Sequence, residues 1–175
     1  GGAGYIGSHA CFTLLQKGYD VFVIDSLING NYEALNRVEE AHLKKSNLGN
    51  KLTFIEVDLN NLDSLQKQFN EFKDRGIFFD AVIHFAGLKS ANESLEKTID
   101  YWNCNVGGTI NLLNSIDLTR CKAFIFSSSA TVYGLNCKSP ISEDSILAPV
   151  NPYGETKLTI ENILKSIFKS NNYPL

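Results

Sequence analysis

Two groups of side chains in this sequence have the types and spacing for proton chemistry. The first is Tyr153-Gly154-Glu155-Thr156-Lys157. A tyrosine and a lysine four positions apart share one face wherever the chain is helical. A free phenol ionises near pH ~10, too high for a base at neutral pH. A neighbouring ammonium favours the phenolate and lowers that value. Tyr153 can then take a proton from a substrate hydroxyl while a hydride leaves the carbon. An isolated Tyr-x-x-x-Lys is more often a half-buried tyrosine beside a surface lysine. The second group weighs against that: Ser127-Ser128-Ser129-Ala130-Thr131-Val132-Tyr133-Gly134. These hydroxyls follow the apolar run Ala123 to Phe126, at the carboxyl end of an expected strand. Ligands of open α/β sheets gather there. Ser129 and Thr131 are placed to hydrogen-bond a substrate hydroxyl or the tyrosine oxygen.

A hydride needs an acceptor, and the start of the chain suggests one. Gly1 to His9 reads Gly-Gly-Ala-Gly-Tyr-Ile-Gly-Ser-His. Gly2, Gly4 and Gly7 fit Gly-x-Gly-x-x-Gly, while Gly1, Gly4 and Gly7 fit Gly-x-x-Gly-x-x-Gly. Such a turn lets backbone approach a pyrophosphate, and the helix after it aims its amides at the same group. Asp25 closes the next apolar run, 18 positions after Gly7. An acidic residue there hydrogen-bonds ribose hydroxyls, although an aspartate at a strand end also forms turns. Its carboxylate repels a 2′-phosphate and the first arginine is Arg37, so NAD is favoured over NADP. Asp58 ends a further run and either bonds an adenine amino group or caps a turn. Phe85-Ala86-Gly87 ends another, with small residues that admit a cofactor. Lys89 follows, either meeting a phosphate or lying in solvent.

The elements that must position these residues alternate. Val21 to Ile24, Leu52 to Val57, Ala81 to Phe85 and Ala123 to Phe126 are strand-like runs. Helical patterns cover Tyr5 to Lys17, Tyr32 to Lys45, Leu62 to Arg75, Glu96 to Ile116 and Glu155 to Lys169. The first places Ile6, Ala10 and Leu14 on one side, and Gly107-Gly108 marks a break in the fourth. The span from Leu135 to Pro152 holds three prolines and is expected to be an irregular, functional loop. This alternation predicts an α/β fold with a doubly wound parallel sheet, Rossmann-like, in a single domain over residues 1–175.

Composition sets the outer bounds. A chain of 175 residues with 43% hydrophobic and 20% charged residues can build one sizeable core. With a net charge of −3 and no basic run, nothing invites nucleic acid or an anionic membrane surface. No apolar run reaches the ~18 residues of a membrane span. The cysteines at 11, 104, 121 and 137 lack metal or redox spacing, so reduced thiols of a cytoplasmic protein and no metal site are expected.

Taken together, the glycine turn, the acidic strand end, Ser127 to Gly134 and Pro-Tyr-Gly-x-Thr-Lys resemble the extended short-chain dehydrogenase/reductase family. More narrowly, Gly1 to His9, Val82-Ile83-His84-Phe85-Ala86-Gly87-Leu88-Lys89 and Phe124 to Gly134 resemble UDP-glucose 4-epimerases, and the likeness spans the whole chain. The resemblance implies a tightly held NAD that takes a hydride from sugar carbon 4 of UDP-galactose or UDP-glucose and returns it to the other face. It implies Gly1, Gly4, Tyr5, Ile6 and Gly7 at the pyrophosphate. Asp25, Ser26, Asn29 and Gly30 would lie near the adenosine ribose, and Asp58 and Leu59 beside the adenine. Phe85, Ala86, Gly87 and Lys89 would line the cofactor, with Lys89 also near substrate. Ser129, Thr131 and Tyr153 would contact substrate, and Lys157 would bond the nicotinamide ribose and tune Tyr153. Cys104 stands where the family often has a cofactor-binding asparagine, and a thiol is a weak donor. Lys89 to Ser94 also departs from the family's usual Lys-Ala-Val-Gly-Glu-Ser. Related dehydratases and decarboxylases carry an acidic residue beside the active-site threonine or serine; here Ala130 and Val132 flank Thr131. A non-catalytic NAD-binding module is the remaining alternative, with no use for Tyr153 and Lys157. Homodimerisation through Glu96–Ile116 and Glu155–Lys169 is implied by the resemblance alone. A first strand is expected before Gly1 and a substrate-binding part after Leu175. Without that strand, the runs at Val21 and Ala81 lose a shared neighbour, so the 175 residues alone are expected to be unstable and inactive.

Overall fold

In the computed structural model, which describes residues 1–46, 48–135 and 137–171, helices and strands alternate as the apolar pattern requires. The order is α1 (Tyr5–Gln16), β1 (Val21–Asp25), α2 (Tyr32–Lys45), β2 (Leu52–Glu56), α3 (Leu62–Asp74) and β3 (Ala81–His84). Then come α4 (Ala91–Glu96), α5 (Thr98–Tyr101), a π-helical stretch (Trp102–Gly107), α6 (Gly108–Ser115), β4 (Ala123–Phe126) and α7 (Pro152–Asn171). β1 pairs in parallel with β2, Val21 opposite Leu52. β3 pairs in parallel with β4, Ala81 opposite Ala123. Among the described residues no ladder joins the two pairs.

Alternation along β1 sorts its side chains onto two faces. Val21 and Val23 bury against Cys11 and Leu15 of α1 and Leu35 and Val38 of α2. Ile24 packs into a second core with Leu65, Leu112, Phe124, Ile160, Leu164 and Phe168, from α3, α6, β4 and α7. Phe22, on the Ile24 side, meets Phe72 and Phe79 edge-on at 5.5 and 5.4 Å. Helices therefore cover both faces of parallel strands, the doubly wound arrangement, here built from two strand pairs. No helix among the described residues is long and apolar enough to cross a membrane. Among them no group of three or more His, Cys, Asp or Glu could hold a metal ion.

Three expectations need correction. The buried side of α1 is Gly7, Ser8, Cys11 and Leu15, not the stripe through Ile6. β1 packs beside Cys11 and Leu15, so Ile6 is left 61% exposed at the open end of the helix. The fourth helical region does not break at Gly107-Gly108, whose backbone is helical (φ −58° and −60°). The break falls at Lys97, and a side chain at Gly108 would come within 3.1 Å of Leu59 Cβ. That glycine serves close packing rather than interruption. α7 starts at Pro152, three residues earlier than expected, because proline is tolerated in a first helical turn that needs no amide.

Candidate active site

The amino end of α1 is open. α2, α3 and α4 begin with Asn31, Asn61 and Ser90, whose side chains accept from amides of Glu33, Ser64 and Glu93. α1 begins at Gly4 with no side-chain cap. Its first amides thus remain available to an anion, aided by the helix dipole. Tyr5 and Ile6 stand beside them, 79% and 61% exposed. The turn beneath is tight: a Cβ on Gly7 would lie 2.3 Å from the Gly1 carbonyl oxygen.

Asp25 braces this turn from below. Its Oδ2 accepts from the Ala3 amide at 3.0 Å and its Oδ1 from Leu27 at 2.8 Å. The carboxylate thereby joins the carboxyl end of β1 to the glycine turn. Gly30 closes over it, with room for no side chain: a Cβ would lie 2.9 Å from Ala3 Cβ and from Asp25 Oδ1. Ser26 and Asn29 lie in the same β1–α2 connection. From the other strand pair, Phe85 and Ala86 touch Gly1, where an added Cβ would meet Ala86 N at 2.3 Å. The glycine turn therefore sits between the carboxyl ends of β1 and β3.

Asp58 caps a turn, its Oδ1 accepting from the Asn60 amide at 2.9 Å. It also lines an open hollow of about 440 Å³ with Asn60, Asn61, Leu62 and Asp63. Leu59 packs against the second core, and its carbonyl accepts from Asn111. Cys104, half-buried on the π-helical stretch, lies near the Leu88 backbone, the Asn60 side chain and the Lys157 charge. Burial pushes its thiol up. Lys89 is exposed.

The second group forms around the start of α7. Lys157 is 5% exposed and donates from Nζ to the Ser127 carbonyl at 3.0 Å. Burial pulls its ammonium down from 10.5 to about 8. The same nitrogen lies 4.8 Å from the Phe126 ring centre and 5.8 Å from that of Tyr153. Ser129 Oγ accepts from Thr131 Oγ1 at 2.9 Å and from the Thr131 amide at 3.2 Å, fixing both hydroxyls at the carboxyl end of β4. The Tyr153 amide donates to Ser94 Oγ at 3.1 Å. Lys157 and the Ser129–Thr131 pair thus lie together at the carboxyl end of β4, with the Tyr153 ring beside Lys157.

Sequence reasoning missed the residues that lock this cluster. Asn105, 1% exposed, donates to the Leu88 carbonyl at 3.0 Å and to Thr156 Oγ1 at 3.1 Å, while accepting from the Leu88 amide at 2.7 Å. It binds the loop after β3 to the first turn of α7. Ser94, fully buried, holds Tyr153 from α4. A signal existed: Thr156 interrupts an otherwise apolar i, i+4 stripe through Ile160, Leu164 and Phe168. A polar residue buried in such a stripe needs a partner. His84, 4% exposed, is held neutral at neutral pH: burial pushes it down to about 3, and its Nε2 meets Thr109 Oγ1 at 2.8 Å.

Comparison with known proteins supplies the family. The model described as GDP-mannose 4,6 dehydratase matches residues 1–175. The chain belongs to this family. Within it, the chain is 46% identical over 172 residues to UDP-glucose 4-epimerase 2 of Arabidopsis thaliana, covering 98% of this chain and 47% of that protein. It is 45% identical over 172 residues to UDP-glucose 4-epimerase of Bacillus subtilis, covering 98% and 48%. Among solved structures, UDP-glucose 4-epimerase from Bifidobacterium longum in complex with NAD+ and UDP superposes with a TM-score of 0.84 at 38% identity, covering 97% of this chain and 48% of that one. The chain spans about half the length of these relatives. The Rossmann-type fold and the epimerase resemblance both stand on these likenesses.

Proposed function

We propose that this chain is the NAD-binding part of a 4-epimerase that interconverts UDP-galactose and UDP-glucose. The observation that carries the reading is the Tyr153–Lys157 pair on α7, whose Lys157 Nζ bonds the Ser127 carbonyl beside the Ser129–Thr131 hydroxyl pair at the carboxyl end of β4. Relatives named UDP-glucose 4-epimerase and a neighbour holding NAD+ and UDP support it. The residues present fit such a cofactor, because α1 leaves its amides uncapped above Asp25. NAD, when bound, would accept a hydride from sugar carbon 4 and give it back to the opposite face.

This chain's residues do the rest. Gly1, Gly4, Tyr5, Ile6 and Gly7 cradle the pyrophosphate, and Asp25, Ser26, Asn29 and Gly30 surround the adenosine ribose. Asp58 and Leu59 flank the adenine. Phe85, Ala86, Gly87, Lys89 and Cys104 line the cofactor on its other side. Tyr153 takes the proton from the sugar 4-hydroxyl as the hydride departs and returns it when the hydride comes back. Ser129 and Thr131 hold that hydroxyl, and Lys157 orients the nicotinamide ribose. Lys157 is protonated below about pH 8, so near neutral pH its charge favours the phenolate.

The description of the matched family raises dehydration as a second reading. Ala130 and Val132 flank Thr131, and Val132 is buried, so neither neighbour can move the proton that loss of water requires. Leu95, Ile99 and Ile110, 63%, 69% and 41% exposed, favour a second copy docking along this helical region. The setting is the cytoplasm.

The test is a coupled assay of UDP-galactose conversion by a full-length protein carrying this chain. Native protein turns over, and Tyr153→Phe retains bound nucleotide while losing at least roughly a hundredfold in kcat. Equal activity of the variant would remove Tyr153 from the reaction, and absence of native activity would end the epimerase reading.

A further inference from the structure

α7 grips the serine strip with two side chains one helical turn apart. Lys157 donates to the Ser127 carbonyl at 3.0 Å. Glu161, four residues on, accepts from Ser128 Oγ through Oε1 at 2.5 Å. The other Glu161 oxygen, Oε2, accepts from Lys165 Nζ at 3.2 Å. The Glu161 side chain is 21% exposed and that of Lys165 58%, so the carboxylate is held between a protein-facing hydroxyl and a solvent-facing ammonium. A hydrogen bond to an ionised carboxylate is stronger and shorter than one between neutral groups. Two consecutive residues at the end of β4 are therefore clasped by two consecutive turns of α7.

Ser128 precedes Ser129, whose Oγ already sets the Thr131 hydroxyl. Any slide of α7 along the strip changes the separation of Ser129 from Tyr153, because Tyr153 rides on α7 and Ser129 on the strip. Tyr153 and Thr156 tie the first turn of α7 to Ser94 and to Asn105, and Lys157 ties the next to the Ser127 carbonyl. The Glu161 bond adds a side-chain contact to the strip itself, one turn beyond Lys157.

We propose that Glu161 is a positioning residue, which through Ser128 fixes the register of α7 against the serine strip and so places Tyr153 opposite Ser129. The proposal rests on Tyr153 and Ser129 acting on the substrate hydroxyl, as argued above. Misplacing reacting groups by about 1 Å costs on the order of a hundredfold in rate without weakening substrate binding.

The experiment compares Glu161→Ala, Glu161→Gln, Ser128→Ala and the Ser128→Ala/Glu161→Ala double variant in a full-length protein carrying this chain. Glu161→Gln keeps an amide oxygen that accepts from Ser128. The expected result for Glu161→Ala and Ser128→Ala is a kcat lower by roughly 10- to 100-fold with KM for UDP-galactose within about threefold of native. Glu161→Gln stays within about threefold of native kcat, and the double variant is no worse than either single one, since one shared interaction is removed. A native kcat in Glu161→Ala, a Glu161→Gln variant as impaired as Glu161→Ala, or losses that add in the double variant would each overturn the proposal. A readout independent of turnover accompanies it: acetylation of Lys157 by acetic anhydride in nucleotide-free protein, followed by mass spectrometry. Labelling rises several-fold in Glu161→Ala and stays at the native level in Glu161→Gln; unchanged labelling in Glu161→Ala overturns the clasp. A native protein that does not interconvert the sugars defeats the epimerase reading, and the labelling then decides the clasp by itself.

Discussion

Lys157 is a cation that the fold buries at a cost, and replacing it with methionine exposes that cost. The side chain is 5% exposed and its ammonium is pulled down from 10.5 to about 8 by burial. That difference corresponds to roughly 3 kcal/mol of folding free energy withheld while the residue is charged. The sign follows from proton binding. Below the folded value, about 8, both folded and unfolded chains carry the proton, and the cost is complete. Between about 8 and 10.5 the folded chain sheds its proton while the unfolded chain keeps it, so stability rises with pH. From about pH 7 to about pH 9.5 the recovery amounts to roughly 2 kcal/mol. Lys157→Met has no such proton, and every other titrating group is common to both proteins. At neutral pH the variant escapes the desolvation but leaves the Ser127 carbonyl without its donor, a loss of about 1–2 kcal/mol. The assay is urea denaturation of native and Lys157→Met protein, both full-length and nucleotide-free, at the two pH values. The native protein gains on the variant by roughly 2 kcal/mol at the higher pH. A stability difference that is the same at both pH values, within about 0.5 kcal/mol, would refute a buried, charged Lys157.

Two further predictions concern the scaffold. Gly7→Ala places a methyl 2.3 Å from the Gly1 carbonyl oxygen and 2.7 Å from Gly2 Cα, so the turn must open. Nucleotide affinity, measured by titration calorimetry, falls by at least roughly tenfold, or about 1.4 kcal/mol. Asn105→Asp keeps the acceptor for the Leu88 amide but loses both donated bonds, and it sets an acidic group against the Leu88 carbonyl and Thr156. Chemical denaturation shows a loss of about 2–4 kcal/mol; a loss under about 1 kcal/mol would mean that Asn105 is not the lock between the Leu88 loop and α7.

Much of this was legible in the residues. The four strands fall where β-branched and aromatic runs predict them, because such runs have few other ways to be buried. The Tyr153, Lys157, Ser129 and Thr131 cluster was legible because strand ends collect ligands and helical spacing fixes which side chains share a face. Three things were not. Periodicity at Ile6, Ala10 and Leu14 identifies a stripe, but which of two neighbouring stripes meets the sheet depends on how β1 packs on Cys11 and Leu15. Gly107-Gly108 reads as a break by propensity, and only the nearness of Leu59 shows that one glycine is there for contact. The polar locks, Asn105 with Thr156 and Ser128 with Glu161, join residues 51 and 33 positions apart, and no local pattern encodes a partner at that distance.

The central claim is that the sugar's own C4 hydrogen leaves and returns within one site built on Tyr153 and Lys157. It is tested most directly with UDP-galactose carrying deuterium at carbon 4, turned over in ordinary water by a full-length protein carrying this chain. Mass spectrometry of the product should find UDP-glucose that keeps its deuterium, the outcome expected if the C4 hydrogen leaves as a hydride and returns without exchanging with solvent. Product that has lost the label to water, or a labelled sugar returned unconverted, would contradict the account.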